Sequence, residues 1–369
     1  MQFIDLKTQT RRLEGRLMER FKAVLDHGAF IMGPEVSELE TALAKFVGVN
    51  HAVGVASGTD ALLIALMALG IGPGDEVITT PFSFFATVEV IALLGAVPVF
   101  VDIHRDTYNI NANLIESAIT SKTKAILPVS LYGQCADFDE INAIAARYGL
   151  AVIEDAAQSF GATYRGRYSC GLSTIGCTSF FPSKPLGGYG DGGACFTNDA
   201  VLADRMRAIR VHGQSKRYYH SCLGINGRLD TLQAAILLEK LAIFPEECER
   251  RQVIAQRYQT LLPEGLQKPV IKCENTSVFA QYTLGVPHRE EVQAALEERG
   301  IPTAVHYPLG LHDQPIFQEM FPGPHSFPNT EMAAKCVMSL PMHPYLTVED
   351  QDRVIYALNE IFLKEEALN

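Results

Sequence analysis

Lys184 is the residue whose surroundings in the sequence point most directly to covalent chemistry. It follows the aromatic segment 179–183, and the residues after it, 185–193, are dense in glycine. Glycine lets a backbone approach a ligand closely and adopt positive φ, which makes room beside the amine. A lysine in a loop is ordinarily a solvated charge. Because this one follows a predicted strand, we favour an amine held beside a ligand.

Asp155 comes directly after a buried apolar strand predicted at 151–154. Ligands of open α/β sheets bind outside the carboxyl ends of the strands, so a carboxylate there has a cofactor or a metal ion as a natural partner. The same aspartate could equally cap the helix that follows it. Both interpretations stay open on this segment alone.

The segment 55–63 carries Gly58 and Thr59 where a predicted strand passes into a helix. Free backbone N–H groups at a helix N-terminus bind anions such as phosphate. A serine followed by glycine is also an ordinary way to begin a helix. This segment by itself therefore does not separate a phosphate site from simple capping.

These three segments fit one chemistry, that of pyridoxal 5'-phosphate (PLP). A lysine amine forms a Schiff base with the cofactor aldehyde, a carboxylate pairs with the pyridine nitrogen, and an anion site binds the phosphate. Burial and nearby positive charge lower the pKa of a lysine and make its amine a usable base near neutral pH. We therefore predict a PLP enzyme in which Lys184 is the catalytic residue.

The elements that would position these residues alternate between short apolar runs and helical patterns. Strands are predicted at 52–56, 76–80, 97–102, 124–129, 151–154, 176–181 and 194–197. Helices are predicted between them at 61–69, 86–94, 114–119 and 138–148. Such alternation is typical of a parallel sheet with crossover helices, and it predicts an α/β, doubly wound fold.

The pattern changes after Pro245. A long helix is predicted at 228–241, and a separate charged helix at 246–261. A strand within 277–286 and helices at 289–299 and 348–363 follow. We predict a large PLP-binding α/β domain over residues 1–245 and a small C-terminal α+β domain over residues 246–369.

Composition excludes several classes of protein. The formal charge of -11 and the pI near 5.4 argue against nucleic-acid binding, which needs a broad basic surface. We expect no membrane span, because no apolar stretch is long enough, and a cytoplasmic location, because no secretory signal is visible. None of the eight cysteines has the spacing of a zinc site, so we predict reduced thiols and no metal.

The sequence resembles the DegT/DnrJ/StrS family of PLP-dependent sugar aminotransferases over nearly its whole length. The most specific matches are Ser-Gly-Thr-Asp-Ala (57–61), Glu-Asp-Ala-Ala-Gln-Ser-Phe-Gly (154–161), Ser-Phe-Phe-Pro-Ser-Lys (179–184) and Val-His-Tyr-Pro (305–308). The resemblance implies the type I fold of PLP-dependent transferases, that of aspartate aminotransferase. A sugar dehydratase of this family carries histidine where this chain has Lys184.

The resemblance also implies a role for each matching residue. Lys184 would bind the cofactor covalently and move the proton, and Asp155 would pair with the pyridine nitrogen. Gln158 would lie near the ring, and Phe84 would stack on it; an aromatic residue of the core is the alternative for Phe84. The phosphate contacts would come from Gly58, Thr59 and Ser179.

Other matches concern the substrate and a second subunit. Asn226 matches an asparagine that the family supplies from the neighbouring subunit, which implies a homodimer with a shared active site; an Asn-Gly turn is the alternative. Arg228, at the start of a predicted helix, would bind substrate, since a cation there favours a nearby anion. His306 and Tyr307 match the substrate-side motif, and a histidine bonded to backbone is the alternative. The basic, aromatic segment 212–220 would close over a nucleotide diphosphate or form a solvated turn.

Within the family, segments 128–139, 180–187 and 304–308 resemble members that aminate UDP-2-acetamido-2-deoxy-3-oxo-D-glucuronate. Those members use L-glutamate as amino donor and serve the synthesis of bacterial surface polysaccharide such as lipopolysaccharide O-antigen. A C6 carboxylate on the sugar would suit Arg228 as a bidentate partner. The alternatives are a dTDP- or UDP-linked 3-keto or 4-keto-hexose as substrate, and a non-catalytic regulator that retains the fold.

Overall fold

The computed structural model describes residues 1–321 and 325–366. Within them lie twelve α-helices, numbered α1 to α12 in chain order: Leu6–His27, Pro34–Val47, Gly58–Leu69, Ala86–Leu93, Ala112–Ile115, Phe138–Tyr148, Ala200–Ile209, Thr231–Leu261, Arg289–Glu297, Pro315–Met320, Pro328–Cys336 and Val348–Glu366. The strands β1 to β13 are His51–Val55, Glu76–Thr79, Val97–Phe100, Thr123–Leu127, Ala151–Asp155, Thr163–Tyr164, Arg167–Tyr168, Ile175–Ser179, Gly193–Thr197, Gln214–Lys216, Tyr219–His220, Tyr282–Gly285 and Val337–Leu340.

A seven-stranded sheet forms the centre of the molecule, in the order β1-β9-β8-β5-β4-β2-β3. Strand β9 runs antiparallel to both of its neighbours, β1 and β8, and all other neighbouring pairs are parallel. These are the seven strands predicted from the apolar runs, with ends that differ by one or two residues. The prediction of an α/β fold built on a mostly parallel sheet is confirmed.

Alternate residues of the sheet strands enter separate cores on its two faces. In β1, Val53 and Val55 join a core with α3, α4 and α7, whereas Ala52 joins a core with α2 and α8. Helix α6 covers the same face as α2 and α8, over β4 and β5. Because successive side chains of a strand point to opposite faces, a sheet covered on both sides reads as continuous apolar runs.

Helix α8 corrects one prediction: residues 231–261 form one continuous helix of 31 residues, not two helices that meet at Pro245. A proline within a helix removes one hydrogen bond and crowds the carbonyl four residues earlier. Pro245 is exposed and so lies on the outer side of the helix, while Phe244 and Glu247 on either side of it are buried. The predicted boundary between residues 245 and 246 therefore falls inside a helix.

The C-terminal half of α8 contributes to a separate core outside the central sheet. Strands β12 and β13 pair antiparallel, and the helices α9 and α12 pack with α8 around them. The predicted small domain also includes residues 322–324 and 367–369, which lie outside the described residues. Among the residues described, no helix has both the length and the apolar character required to cross a membrane.

Candidate active site

A cavity of about 480 Å³ opens at the carboxyl edge of the central sheet. All predicted site residues except Asn226 and Arg228 line it: Gly58, Thr59, Phe84, Asp155, Gln158, Ser179, Lys184, His306 and Tyr307. Asp155 ends β5, Ser179 ends β8, and Gly58 begins the helix that follows β1. Ligands of parallel sheets bind at this edge because the loops that follow the strands converge there.

The Asp155 carboxylate is buried and held from two sides. Its Oδ2 accepts a hydrogen bond from Thr87 Oγ1 at 2.8 Å, and its Oδ1 accepts one from the backbone N–H of Ala157 at 3.2 Å. Burial raises the pKa of Asp155, and these two hydrogen bonds and the charge of Lys184 act in the opposite direction. The carboxylate is thus fixed in orientation and faces the cavity.

Lys184 lies in the wall of the same cavity, with its side chain half-buried. Its backbone N–H donates to the carbonyl of Phe181 at 2.9 Å, which closes a turn just after β8. Burial lowers the pKa of the Lys184 amine, and the charge of Asp155 opposes that change. An amine with a lowered pKa is a better base and nucleophile near neutral pH.

The N-terminus of α3 forms the anion-binding end of the cavity. The N-cap Ser57 accepts the N–H of Asp60 at 3.0 Å, which leaves the first N–H groups of the helix for a ligand. A Cβ added at Gly58 would lie 2.6 Å from the Cβ of Ser179. Only glycine therefore allows this helix end to lie directly beside the Ser179 hydroxyl.

Gln158 is held on both sides by tyrosines. Its Oε1 accepts the backbone N–H of Tyr132 at 2.9 Å, and its Nε2 donates to Tyr307 Oη at 3.0 Å. Burial raises the pKa of Tyr307, so its hydroxyl stays protonated. These contacts fix the Gln158 amide against the cavity wall and leave the Tyr307 proton free to be donated.

His306 and Phe84 also line the cavity. His306 Nδ1 lies 2.9 Å from Ser339 Oγ, and burial together with the charge of Lys184 lowers the pKa of His306 to about 4. The imidazole is therefore neutral at pH 7. Phe84 precedes α4 and is 57% exposed, with its ring 6.3 Å from that of Tyr307. This exposure argues against Phe84 as a core aromatic residue.

Asn226 and Arg228 do not line the cavity of their own chain. Asn226 is exposed, and the backbone of Arg228 forms a β-bridge with Val55. The helix predicted to start at Arg228 begins at Thr231, after Asp230 as N-cap. Arg228 therefore does not stand at a helix start as predicted, because the bridge to β1 extends the chain past it before the helix begins.

The segment 212–220 folds into a small hairpin in which β10 pairs with β11. Its basic and aromatic side chains are exposed and stack on each other: Lys216 Nζ lies 5.0 Å from the Tyr219 ring centroid, and the Arg217 guanidinium carbon 5.2 Å from that of Tyr218. Such cation–π pairs keep positive charge at the surface of an acidic protein. The hairpin thus presents basic groups to solvent.

Two residues that support Asp155 are not among those predicted from the sequence: Thr87, which donates to Asp155, and Ser83, whose Oγ lies 2.8 Å from Thr87 Oγ1. A signal was available: Ser83 and Thr87 stand four residues apart in an otherwise apolar stretch, a spacing that aligns side chains along a helical turn. Tyr132 was also missed. Its contribution is a backbone N–H and a hydroxyl that donates to the His306 carbonyl, which no residue spacing reveals.

The residues of this cavity fit PLP. Asp155 offers a fixed buried carboxylate, Lys184 an amine in the same wall, and the glycine at the start of α3 a close approach for a phosphate. The volume falls in the range of small-molecule sites, about 300–1,000 Å³. One carboxylate, one amine and one anion site in a single cavity are the set that this cofactor requires.

Comparison with known proteins agrees with this geometry. Residues 12–359 match the model of the DegT/DnrJ/EryC1/StrS aminotransferase family. The chain is 58% identical over 347 residues to the UDP-2-acetamido-2-deoxy-3-oxo-D-glucuronate aminotransferase of Pseudomonas aeruginosa, covering 94% of this chain and 96% of that protein.

Two solved structures are similar throughout. A DegT DnrJ EryC1 StrS aminotransferase from Brucella abortus has a TM-score of 0.95 at 45% identity, over 98% of this chain and 99% of that one. NtdA from Bacillus subtilis, with bound cofactor PMP, has a TM-score of 0.90 at 34% identity, over 97% of this chain and 83% of that one. The predicted type I fold and family resemblance are confirmed, and the chain belongs to the DegT/DnrJ/EryC1/StrS aminotransferase family.

Proposed function

We propose that this protein is a PLP-dependent aminotransferase that transfers the amino group of L-glutamate to C3 of UDP-2-acetamido-2-deoxy-3-oxo-D-glucuronate. The observation that carries the reaction type is the presence of both Lys184 and Asp155 in one cavity, which also includes a helix N-terminus. The substrate is supported by the 58% identity to the Pseudomonas aeruginosa aminotransferase. The pathway that we propose is bacterial surface-polysaccharide (O-antigen) synthesis.

Two residues divide the acid–base chemistry between them. PLP, when bound, supplies an electron sink for the bond to hydrogen that breaks at the substrate carbon. Asp155 would hold a proton at the ring nitrogen, and the hydrogen bond from Thr87 favours the ionised carboxylate that this role requires. Lys184 would hold the cofactor between turnovers, and its freed amine would take the proton from the substrate carbon and deliver it to C4' of the cofactor.

The remaining residues of the cavity bind and orient. The N–H groups of Gly58 and Thr59, with the Ser179 hydroxyl, would bind the phosphate, and the exposed ring of Phe84 would stack on the cofactor. Gln158 would lie beside the ring, and its hydrogen bond to Tyr307 fixes the two side chains relative to each other. Tyr307 and neutral His306 hydrogen bond to the sugar, which excludes water from that side.

The active site that we propose is completed by a second copy of the chain. The exposed Asn226 side chain would reach the phosphate of the neighbouring subunit, and Arg228 would bind the sugar carboxylate there. The segment that carries them is continuous with exposed apolar residues, since Ile31 forms a β-bridge with Asp230 and is 53% exposed. An apolar surface beside a polar ligand site is typical of a subunit interface.

A cytoplasmic location is also part of this proposal. It is supported by the eight cysteines, all of which are unpaired thiols, with Cys135, Cys170, Cys177 and Cys195 buried. Free thiols in this number are typical of a reducing compartment.

The experiment that tests the function follows the cofactor and the product together. Purified protein with PLP should absorb as a lysine-bound cofactor, lose that band when L-glutamate is added, and regain it with the UDP-3-keto sugar. Mass spectrometry should detect the UDP-amino sugar, and Lys184→Ala should show neither the band nor the product. A wild-type protein that stays colourless after addition of PLP would contradict the proposed PLP-dependent activity. Turnover of a dTDP-4-keto-hexose in preference to the UDP sugar would contradict the proposed substrate assignment.

A further inference from the structure

Helix α8 carries a polar stripe on a face that is otherwise buried. Gln233, Lys240 and Glu247 are spaced by seven residues, which is close to two helical turns and aligns them along one side. Lys240 is 1% exposed and Glu247 is 2% exposed. Burial of charged groups costs free energy unless they are well hydrogen bonded, so such a stripe needs a reason beyond packing.

Lys240 contacts the loop that follows Lys184. Its Nζ donates to the carbonyl of Gly187 at 2.5 Å and lies 4.5 Å from the ring centroid of Tyr189. Burial lowers the pKa of Lys240 to about 8, and Glu247 acts in the opposite direction. A cation is thus buried to hold one carbonyl oxygen three residues after Lys184.

Gln233 lies about two helical turns before Lys240 and contacts the same loop. Its Oε1 accepts the backbone N–H of Tyr189 at 2.8 Å. A Cβ added at Gly188 or Gly190 would lie within 2.9 Å of the Gln233 amide, so the two glycines permit this contact. From the strand side, the N–H of Gly188 donates to the carbonyl of Phe180 at 2.7 Å.

We propose that Lys240 is a positioning residue for Lys184, acting through the backbone of Gly187. The loop between Lys184 and Gly190 is hydrogen bonded on one side to Phe180, which follows β8, and on the other side to α8. Without the Lys240 ammonium, the buried Gly187 carbonyl has no donor from α8, and the loop gains freedom on the side away from the cavity. This inference rests on the proposed role of Lys184.

The test compares Lys240→Met with Leu237→Met, a swap of similar volume at a fully buried position of the same helix. In Lys240→Met, kcat should fall by about 10- to 100-fold, because small displacements of a reacting group have effects of that size. KM should change less than about twofold, since substrate binding is untouched. Leu237→Met should keep the wild-type kcat.

A second readout does not need the loaded enzyme. In cofactor-free protein, hydrogen exchange at the Gly188 and Tyr189 amides should be about tenfold faster or more in Lys240→Met, and unchanged in Leu237→Met. If Lys240→Met does not fold, Gln233→Leu should loosen the Tyr189 amide and lower kcat in the same way. A merely structural Lys240 would lower the Tm and leave both kcat and loop exchange at wild-type values, which would overturn the proposal.

Lys184→Ala separates this inference from the proposed function. If Lys184→Ala keeps the lysine-bound cofactor band, the role of Lys184 fails, and the role of Lys240 fails with it. If Lys184→Ala loses the band while Lys240→Met turns over at the wild-type rate, only the inference about Lys240 is wrong. Loss of the band in Lys184→Ala, together with a low kcat and fast loop exchange in Lys240→Met, supports both.

Discussion

Replacing Thr87 by valine should make the Asp155 carboxyl harder to ionise. The Thr87 hydroxyl is fully buried and donates to Asp155 Oδ2 at 2.8 Å, so Ser83 Oγ must be the donor in its own hydrogen bond to Thr87. A hydrogen bond to a charged group contributes about 1.5–3 kcal/mol. The hydrogen bond from Thr87 contributes this stabilisation to the ionised form of Asp155. At about 1.36 kcal/mol per pKa unit, its loss should raise the pKa of Asp155 by about 1–2 units.

The expected rise in the pKa of Asp155 can be measured from the pH dependence of kcat/KM. Burial already raises the pKa of Asp155, and the Thr87 hydrogen bond opposes that effect, so its removal moves the pKa further upward. Because the ionised carboxylate is the active form, the acid limb of kcat/KM should move to higher pH by about 1–2 units, since this profile reports the free enzyme. The rate at the alkaline plateau should change much less.

Thr79→Val provides the matched control. It removes another fully buried threonine hydroxyl, one that donates to the Leu127 carbonyl at 2.7 Å and does not contact Asp155. Its acid limb should coincide with that of the wild type, although the free energy of unfolding falls. An unchanged acid limb in Thr87→Val, or the same shift in both variants, would refute the link from Thr87 to Asp155.

Three further changes test other parts of the structure. Burial raises the pKa of Glu154 to about 7, so its contribution to stability is present below about pH 4.5 and is lost as pH rises through 7. Glu154→Gln should therefore reduce the difference in unfolding free energy between pH 5 and pH 8, measured in urea, by about 2–3 kcal/mol. Tyr307→Phe removes the oxygen that accepts from Gln158 and should raise KM for the sugar about fivefold in steady-state assays, with Tm as the control. Replacing Lys216 and Arg217 by alanine should raise KM for the UDP sugar with little change in kcat, and more strongly at low salt; unchanged kinetics would exclude the hairpin from nucleotide binding.

The secondary structure of the first half of the chain could be predicted from the sequence because each strand and helix shows its pattern within a short run of residues. Apolar runs of four to six residues between helical patterns indicated all seven sheet strands, and the helix at 138–148 was predicted with the bounds that it has. The extent of helix α8 could not be predicted in this way. Pro245 indicates a break from the sequence alone, and whether a helix continues past a proline depends on which side of it is exposed to water.

The chemical groups of the site were determined by the sequence. Lys184, Asp155 and the start of α3 were recognisable because each stands at the end of a predicted strand, and strand ends of a parallel sheet share one edge. The tertiary structure alone decided what holds these groups: Thr87 on Asp155, Tyr132 on Gln158 and Lys240 behind the Lys184 loop. Such partners come from residues tens of positions away in the chain. Local sequence pattern records the backbone preference of a segment, whereas these contacts depend on how distant elements pack against one another.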